Sequence, residues 1–294
     1  MNGMSKAQTA AASPVVVALD TSTAAMSMAI VRGREVLGEV QSMADRNHSV
    51  EVVTKLKQLM ASCGVAAESL DAIAVGRGPG SYTGMRIGVT VAKTLAWAWS
   101  KPIVGVSSLE ALAYGSRVED SAGLHWIVPI MDARRGQVYT AAFAYDSGGT
   151  DGVEADHGSW GRLDRDGIRM MNEWADALYE RVKPAEVEQE ERAGTLAPTM
   201  TVSDRGRIPA SITICGELSK HEEEAERLKQ LCEGAGVRVV LSPVLIEGRS
   251  VALLGLERVL REEHDDVHSF VPNYTQLTEA EVKLKEKQAE RDGQ

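Results

Sequence analysis

The stretch GRGPGSYTGMRIGVTVAK (residues 76–93) contains a glycine-rich loop that leads from a short apolar run directly into a helix. Glycine permits positive φ and close approach of the backbone. A helix that starts near Ser81 would point free N–H groups at an anion. The loop has neither the Gly-Lys-Ser/Thr of a Walker A loop nor the Rossmann spacing. These residues alone leave open a phosphate cradle and a bare strand-to-helix turn.

The apolar pattern outward from this loop alternates between strands and helices. The first half predicts three antiparallel strands within 15–42, a helix at 48–63, a strand at 70–75, the loop and helix of 76–99, a strand at 102–106 and a helix at 107–114. The second half predicts a hairpin of strands at 126–131 and 138–145, strands at 211–216 and 237–241, and helices at 217–232 and 250–263. Two halves that each open with a hairpin and continue in βα units predict a two-lobed, actin-like α/β fold (ASKHA, ribonuclease-H-like) with a duplicated mixed β-sheet.

The domain organisation follows from the pattern of strands and helices together with local composition. Residues 1–13 have no apolar core and predict a disordered leader, residues 14–115 a first lobe, and residues 116–275 a second lobe. A segment of about 146–210 is dense in Glu and Arg and predicts a charged insertion. Residues 276–294 predict a charged helical tail.

Bulk composition excludes several classes of protein. The formal net charge of −10 argues against a chain that binds nucleic acid by itself. No apolar run reaches the length of a membrane span. Three widely spaced cysteines without a CxxC pattern indicate reduced thiols, and with no secretory signal they predict a cytoplasmic protein.

Polar residues at three places make up a candidate phosphate site. Asp20, Thr21 and Ser22 follow the first predicted strand, where an actin-like fold places an acidic residue facing phosphate. The same residues also suit an Asx or Ser/Thr turn that closes a hairpin. The glycine loop would add Gly78, Gly80 and Ser81, and the turn of the second hairpin would add Arg134 and Arg135, whose cations suit phosphate or a carboxylate.

Six motifs together resemble the TsaB family, the dimerisation subunits of the bacterial machinery that makes threonylcarbamoyladenosine in tRNA. They are ALDTST (18–23), NHSV (47–50), the loop and helix of 76–99, VSSLEAL (106–112), MDARRGQVY (131–139) and VPNYTQLTEAEVK (271–283). The resemblance covers about residues 14–146 and the C-terminal end, and it is weak over 146–210. It implies an accessory subunit without a catalytic site of its own.

The resemblance also implies which functional elements are missing. In TsaD, the catalytic relative, two histidines that bind metal fall on Ser108 and Leu112 of this sequence, and neither replaces a histidine ligand. The second glycine-rich phosphate loop of TsaD falls on residues 132–137, DARRGQ, which hold one glycine and two bulky cations. No metal and no cofactor are therefore expected for the chain alone, with ATP or ADP confined to the assembled complex.

The partners implied by the resemblance are TsaD in a heterodimer, TsaE in the larger complex, and tRNA only through that complex. Alone, the chain is expected as a monomer or a homodimer, without a membrane partner. Pairing would use the helices at 48–63 and 82–99. The predicted contact residues are His48, Val52, Leu56, Leu59, Tyr82, Met85, Arg86, Val89 and Lys93, with Val52, Leu56, Leu59, Met85, Val89 and Lys93 as the exposed faces.

Two other functions compete with this hypothesis. An actin-like ATPase or sugar kinase would use Asp20 and the glycine loop. A metalloprotease would need paired metal ligands, and the sequence has no HExxH. His48 has Glu51 and Val52 at i+3 and i+4, so packing at a helix start suits it better than metal binding.

Overall fold

The computed structural model describes residues 13–43, 48–117, 123–146, 159–183 and 208–275, without the side chains of residues 48–50. The first half holds β1 (Val15–Asp20), β2 (Ala25–Arg32), β3 (Glu35–Met43), α1 (His48–Ser62), β4 (Ala72–Gly76), α2 (Tyr82–Trp99), β5 (Ile103–Val106) and α3 (Ser108–Gly115). The second half holds β6 (Leu124–Arg134), β7 (Gln137–Asp146), β8 (Ser159–Met170), α4 (Met171–Glu180), β9 (Ser211–Gly216), α5 (Glu222–Gly234), β10 (Arg238–Ser242) and α6 (Gly248–Leu260). The predicted leader up to residue 12 and the predicted tail from 276 lie outside the described residues.

The strands form two five-stranded mixed sheets with the same topology. The first sheet has the order β3-β2-β1-β4-β5 and the second the order β8-β7-β6-β9-β10. In each, the first three strands are antiparallel and the last two run parallel to the central strand. This duplication confirms the predicted two-lobed, actin-like α/β fold.

The helices lie in three layers around the two sheets. Side chains alternate along β1, so that Val17 and Leu19 face α1 and α2 on the outer side, whereas Val16 and Ala18 face the interior between the sheets. α3 and α6 fill that interior and share one apolar core with β6 and β7. α4 and α5 cover the outer face of the second sheet. Within the described ranges no helix is long and apolar enough to cross a bilayer.

The chain after β10 returns to the first lobe, whereas the sequence predicts that the second lobe extends to residue 275. α6 packs along β1 and β2, where Gly248 and Gly255 let the helix approach the sheet closely; a Cβ on Gly255 would lie 2.5 Å from that of Ala74. Beyond α6, Asp265 pairs with Ile103 at the sheet edge, and Phe270 is buried in the outer core of the first lobe. Residues 248–270 therefore pack on the first sheet, α6 through its small residues and the following segment through Asp265 and Phe270.

The predicted charged insertion contains two elements that the sequence reading missed, β8 and α4. β8 lies at the edge of the second sheet and pairs with β7 along its length. Its charged side chains form ion pairs, such as that of Arg162 with Glu110. Because the strand is rich in charge, its sequence resembles that of a solvated loop. α4 does carry a helical apolar stripe, which consists of Met171, Trp174, Ala175 and Leu178. The residues of the insertion at 147–158 and 184–207 lie outside the description.

Candidate functional site

The glycine loop ends against the turn that follows β1, and Asp20 is the centre of that contact. Asp20 is 1% exposed. The backbone N–H and the Oγ of Ser22 each donate to its Oδ1 over 2.7 Å, and Ser108 Oγ donates to its Oδ2 over 2.6 Å. Burial raises the pKa of Asp20 above its usual value, and these hydrogen bonds only partly oppose that shift. The carboxyl group therefore holds the turn to α3 and does not face an open phosphate site.

The glycines of the loop and of α2 make room for the same turn. A Cβ on Gly80 would collide with the carbonyl of Ser22, one on Gly84 with the carbonyl of Thr21, and one on Gly88 would lie 2.5 Å from Thr21 Oγ1. Ser81 N–H donates to the Ser22 carbonyl over 2.6 Å, and Thr21 Oγ1 donates to the Gly84 carbonyl over 2.7 Å. The space of the predicted cradle is filled by the chain itself, so the geometry is that of a packed strand-to-helix turn.

A cleft of about 730 Å³ between the lobes gathers part of the predicted phosphate site. Of the predicted residues its lining contains Ser22, Gly80, Ser81, Arg134 and Arg135. Asp20, Thr21 and Gly78 do not line it. The structure thus brings the two arginines of the second hairpin to face the edge of the glycine loop, and it separates the buried carboxylate from them.

The turn of the second hairpin is fixed by a polar cluster around Asp132. Arg134, Arg135 and Gly136 all have positive φ, of 68°, 53° and 75°. Arg134 N–H donates to Asp132 Oδ1 over 3.1 Å, and Lys220 Nζ lies 2.5 Å from Asp132 Oδ2.

His221, buried in the same cluster, places its Nε2 3.2 Å from Asp132 Oδ1. Burial raises the pKa of Asp132, but the hydrogen bonds from Lys220, the Arg134 amide and His221 outweigh it and lower that pKa. Sequence reasoning missed Lys220 and His221. The available signal was their place after the buried strand β9, which lies parallel to β6.

Ser108 and Leu112, where the resemblance implies that TsaD has metal-binding histidines, are both buried in this chain. Ser108 is fully buried and holds Asp20, while Leu112 is 3% exposed and lies in the core between the sheets. Among the residues that the structure describes, no three His, Cys, Asp or Glu side chains are grouped to hold a metal ion.

The predicted exposed face of α1 and α2 is wrong for its apolar members. Val52, Leu56, Leu59, Met85 and Val89 are between 0 and 4% exposed. All except Met85 belong to the core on the outer face of the first sheet. The reason is the helical repeat itself, because the apolar stripe of each helix packs on this chain's own strands. Met85 covers Gly78, whose Cβ would strike its sulfur.

The polar members of the predicted interface lie on or beside the surface of α2. Lys93 Nζ donates to the carbonyls of His268 and Phe270 over 3.1 and 2.8 Å, which fixes the C-terminal segment along α2. Tyr82 and Arg86 are exposed. The Arg86 guanidinium lies 4.1 Å from the Tyr82 ring centroid, and its Nε donates to the Tyr274 hydroxyl over 3.0 Å. His48 begins α1, but its side chain lies outside the described residues.

Comparison with known proteins places this geometry in a family. A family model described as TsaD: tRNA N6-adenosine threonylcarbamoyltransferase matches residues 34–284. The chain is 47% identical over 73 residues to a tRNA N6-adenosine threonylcarbamoyltransferase of Anaeromyxobacter dehalogenans, a match that covers 25% of this chain and 22% of that protein.

Two further matches extend over most of the chain. YeaZ from Pseudomonas aeruginosa has a similar fold, with a TM-score of 0.59 and 22% identity over 89% of this chain and 99% of that one. The chain is also 34% identical over 273 residues to the Bacillus subtilis protein named tRNA threonylcarbamoyladenosine biosynthesis protein TsaB. Because that match covers 93% of this chain and 99% of the relative, this chain belongs to the TsaB family.

Proposed function

We propose that this chain is a non-catalytic subunit that pairs with TsaD in the formation of N6-threonylcarbamoyladenosine at position 37 of tRNAs that read ANN codons. The observation that carries the proposal is the hydrogen bond from Ser108 to Asp20. It closes the site that a phosphotransferase would keep open. The resemblance also implies that Ser108 stands where TsaD has a metal-binding histidine. A chain built in this way contributes surface and stability to an enzyme rather than chemistry.

The outer faces of α1 and α2 form the proposed pairing surface. On this surface the described side chains are those of Val53, Thr54, Lys57 and Ala61 of α1 and Tyr82, Arg86, Thr90, Thr94 and Trp97 of α2, all exposed. Trp97 is 71% exposed, which is unusual for so large an apolar side chain. Tyrosine, tryptophan and arginine are the residue types that carry most binding energy at interfaces.

The remaining components enter through the assembled complex. TsaE, tRNA and ATP or ADP are proposed to bind only to the assembled complex. Without TsaD, the chain is proposed to form a homodimer through the same helices. The cleft lined by Arg134 and Arg135 supports the proposal that nucleotide phosphate binds beside the partner, because guanidinium groups pair with phosphate. The net charge of −10 is the reason to assign tRNA binding chiefly to TsaD.

Reconstitution with TsaD tests the proposal. Thr90 lies on the outer face of α2, so Thr90→Glu places a charge in the proposed interface without disturbing the core. We expect co-purification with TsaD and formation of the modified nucleoside to be lost together. Val89→Glu is unsuitable for this test, because Val89 is buried in the chain's own core.

The matched control is Gln230→Glu, which adds the same charge to an exposed position of α5. Undiminished pairing of Thr90→Glu would remove α2 from the interface. ATP turnover by the purified chain alone, abolished by Asp20→Asn, would instead establish an actin-like ATPase.

A further inference from the structure

A second cavity, of about 1010 Å³, lies between the end of β5, strand β8 and the C-terminal half of α6. It shares only Asn273 with the cleft between the lobes. Six arginines and four carboxylates line it: Arg34, Arg77, Arg162, Arg165, Arg258 and Arg261, with Glu110, Asp166, Glu257 and Glu263. This local excess of positive charge stands out in a chain of net charge −10.

The carboxylates of the cavity form ion pairs with only some of its arginines. Arg162 pairs with Glu110 over 2.7 Å and with Asp166, and Arg258 lies 3.4 Å from Glu263. Among the described residues, the side chains of Arg77 and Arg165 have neither an ion pair nor a hydrogen bond. A guanidinium group offers five donors in a planar fork that matches phosphate oxygens. These two arginines are therefore available to an anion.

Arg77 is held in place by the glycine loop and its neighbours. Its N–H donates to the Val106 carbonyl over 2.9 Å, and its carbonyl accepts from Asn273 N–H over 2.7 Å. Its Cδ passes over Gly105, where an added Cβ would lie 3.0 Å away. A backbone fixed at both ends and a side chain laid across a glycine lower the entropy cost of binding a ligand.

Trp160 gives the same cavity a rigid aromatic wall. Its ring stacks on Phe143, with centroids 5.1 Å apart and an interplanar angle of 10°. Its Nε1 donates to Glu110 over 3.2 Å. Tyr114 packs edge-on against the same ring, with centroids 5.5 Å apart. An indole fixed in this way at the wall of the cavity can contact a nucleobase while the guanidinium groups hold the phosphate.

We infer that this cavity binds a nucleotide unit, with the phosphate held by Arg77 and Arg165 and the base against Trp160. The unit belongs either to a free nucleotide or to a single-stranded RNA, since both present the same phosphate beside a base. The cavity volume is at the upper end of the usual range for ligand sites, about 300–1000 Å³. The site is distinct from the proposed pairing surface and does not depend on it.

Calorimetric titration of the full chain tests the inference, with adenosine monophosphate, a short single-stranded RNA and inorganic phosphate as probes. We expect one of the first two to bind with a Kd of about 1 mM or tighter, and inorganic phosphate to bind about tenfold more weakly or less. Arg77→Gln and Arg165→Gln should each weaken binding about tenfold or more, because each removes a charged hydrogen-bond donor to phosphate.

The control is Arg238→Gln, which removes the same charge from an exposed position on β10, the opposite edge of the second sheet from β8. Binding of the monophosphate identifies a free nucleotide, and binding of RNA alone identifies a strand. The inference is overturned if neither binds, if phosphate binds as tightly as the monophosphate, or if both variants bind like the wild type. Should Arg77→Gln unfold the glycine loop, Arg165→Gln on β8 decides.

Discussion

Ser108 Oγ donates to Asp20 Oδ2 over 2.6 Å while it accepts from Gly78 N–H over 3.0 Å. One hydroxyl thus joins the end of β1, the glycine loop and the start of α3. A serine has one proton and two lone pairs, so it can make both hydrogen bonds at once. The Ser108 side chain therefore holds together the three elements that surround the predicted phosphate site.

The polar contacts of Asp20 stabilise the turn after β1. Asp20→Ala leaves the buried donors of Ser22 and Ser108 without an acceptor, and each such donor costs about 1–3 kcal/mol. Asp20→Asn keeps an oxygen for Ser22 and should lower the free energy of unfolding less. Urea denaturation of the three proteins at pH 7 gives the order. Equal losses for both variants would show that the hydrogen bonds to Asp20 are not what stabilises the turn.

The raised pKa of Asp20 sets the pH dependence of the same comparison. In the unfolded chain the carboxyl has its ordinary pKa of 3.8, and in the folded chain the pKa is higher. The protonated form is therefore favoured by folding, and the contribution of Asp20 is fully present below about pH 4. We expect the stability of the wild type relative to Asp20→Asn to fall as the pH rises from 4 through the folded pKa. A relative stability that rises with pH would contradict the buried, desolvated carboxyl.

Close packing of α2 on the turn after β1 makes Gly84 sensitive to a single methyl group. Gly84→Ala should destabilise the chain by about 1–3 kcal/mol, because the added Cβ meets the Thr21 carbonyl, even though alanine favours a helix by about 1 kcal/mol. Gly234→Ala in α5 is the matched control, since no heavy atom lies within 4 Å of its added Cβ. Thermal unfolding should shift down for the first variant only. A neutral Gly84→Ala would mean that the loop does not pack as described.

Local signals in the sequence predicted most of the elements around the site. The helix predicted at 217–232 is an exception, because α5 begins at Glu222, after Lys220 and His221. Ser81 and Ser107 were expected to start helices, and each accepts a hydrogen bond as an N-cap, from Gly84 N–H over 3.3 Å and from Glu110 N–H over 3.2 Å. The strands of both hairpins could be predicted because each is a short apolar run or a short stretch in which apolar residues alternate with others. Such signals depend only on residues close in sequence, so one chain is enough to read them.

The surface that an apolar stripe contacts was not readable in the same way. Val89 in α2 and Leu56 in α1 each belong to an apolar stripe with helical spacing. Such a stripe looks the same whether it packs on the chain's own sheet or on a partner, because the surface that it contacts is formed by residues distant in sequence. The role of the glycines was open for the same reason, because Thr21 and Gly84 are 63 positions apart. β8 was missed because its charged residues resemble a solvated loop, and one partner of Arg162, Glu110, is 52 positions away.

The Asp132 cluster predicts an opposite pH dependence from that of Asp20. The pKa of Asp132 is lowered from its ordinary value of 3.8 in the folded chain, so its contribution to stability is present above about pH 4 and is lost as the pH falls through the folded pKa. Asp132→Asn should cost about 1 kcal/mol at pH 7 through loss of the contacts with Lys220 and His221. The difference from the wild type should vanish at low pH. A difference that persists at pH 2 would assign the effect to packing.

The three cysteines should react with a thiol reagent at very different rates. Burial raises the pKa of Cys215 to about 12 and that of Cys232 to about 11, so at pH 8 almost no thiolate, the reactive form, is present at either. Cys63 is partly exposed at the end of α1. We expect one thiol to react rapidly with Ellman's reagent in the native chain and three after denaturation. Cys63→Ser should abolish the rapid phase, and a rapid phase that survives it would show that the core around Cys215 or Cys232 opens.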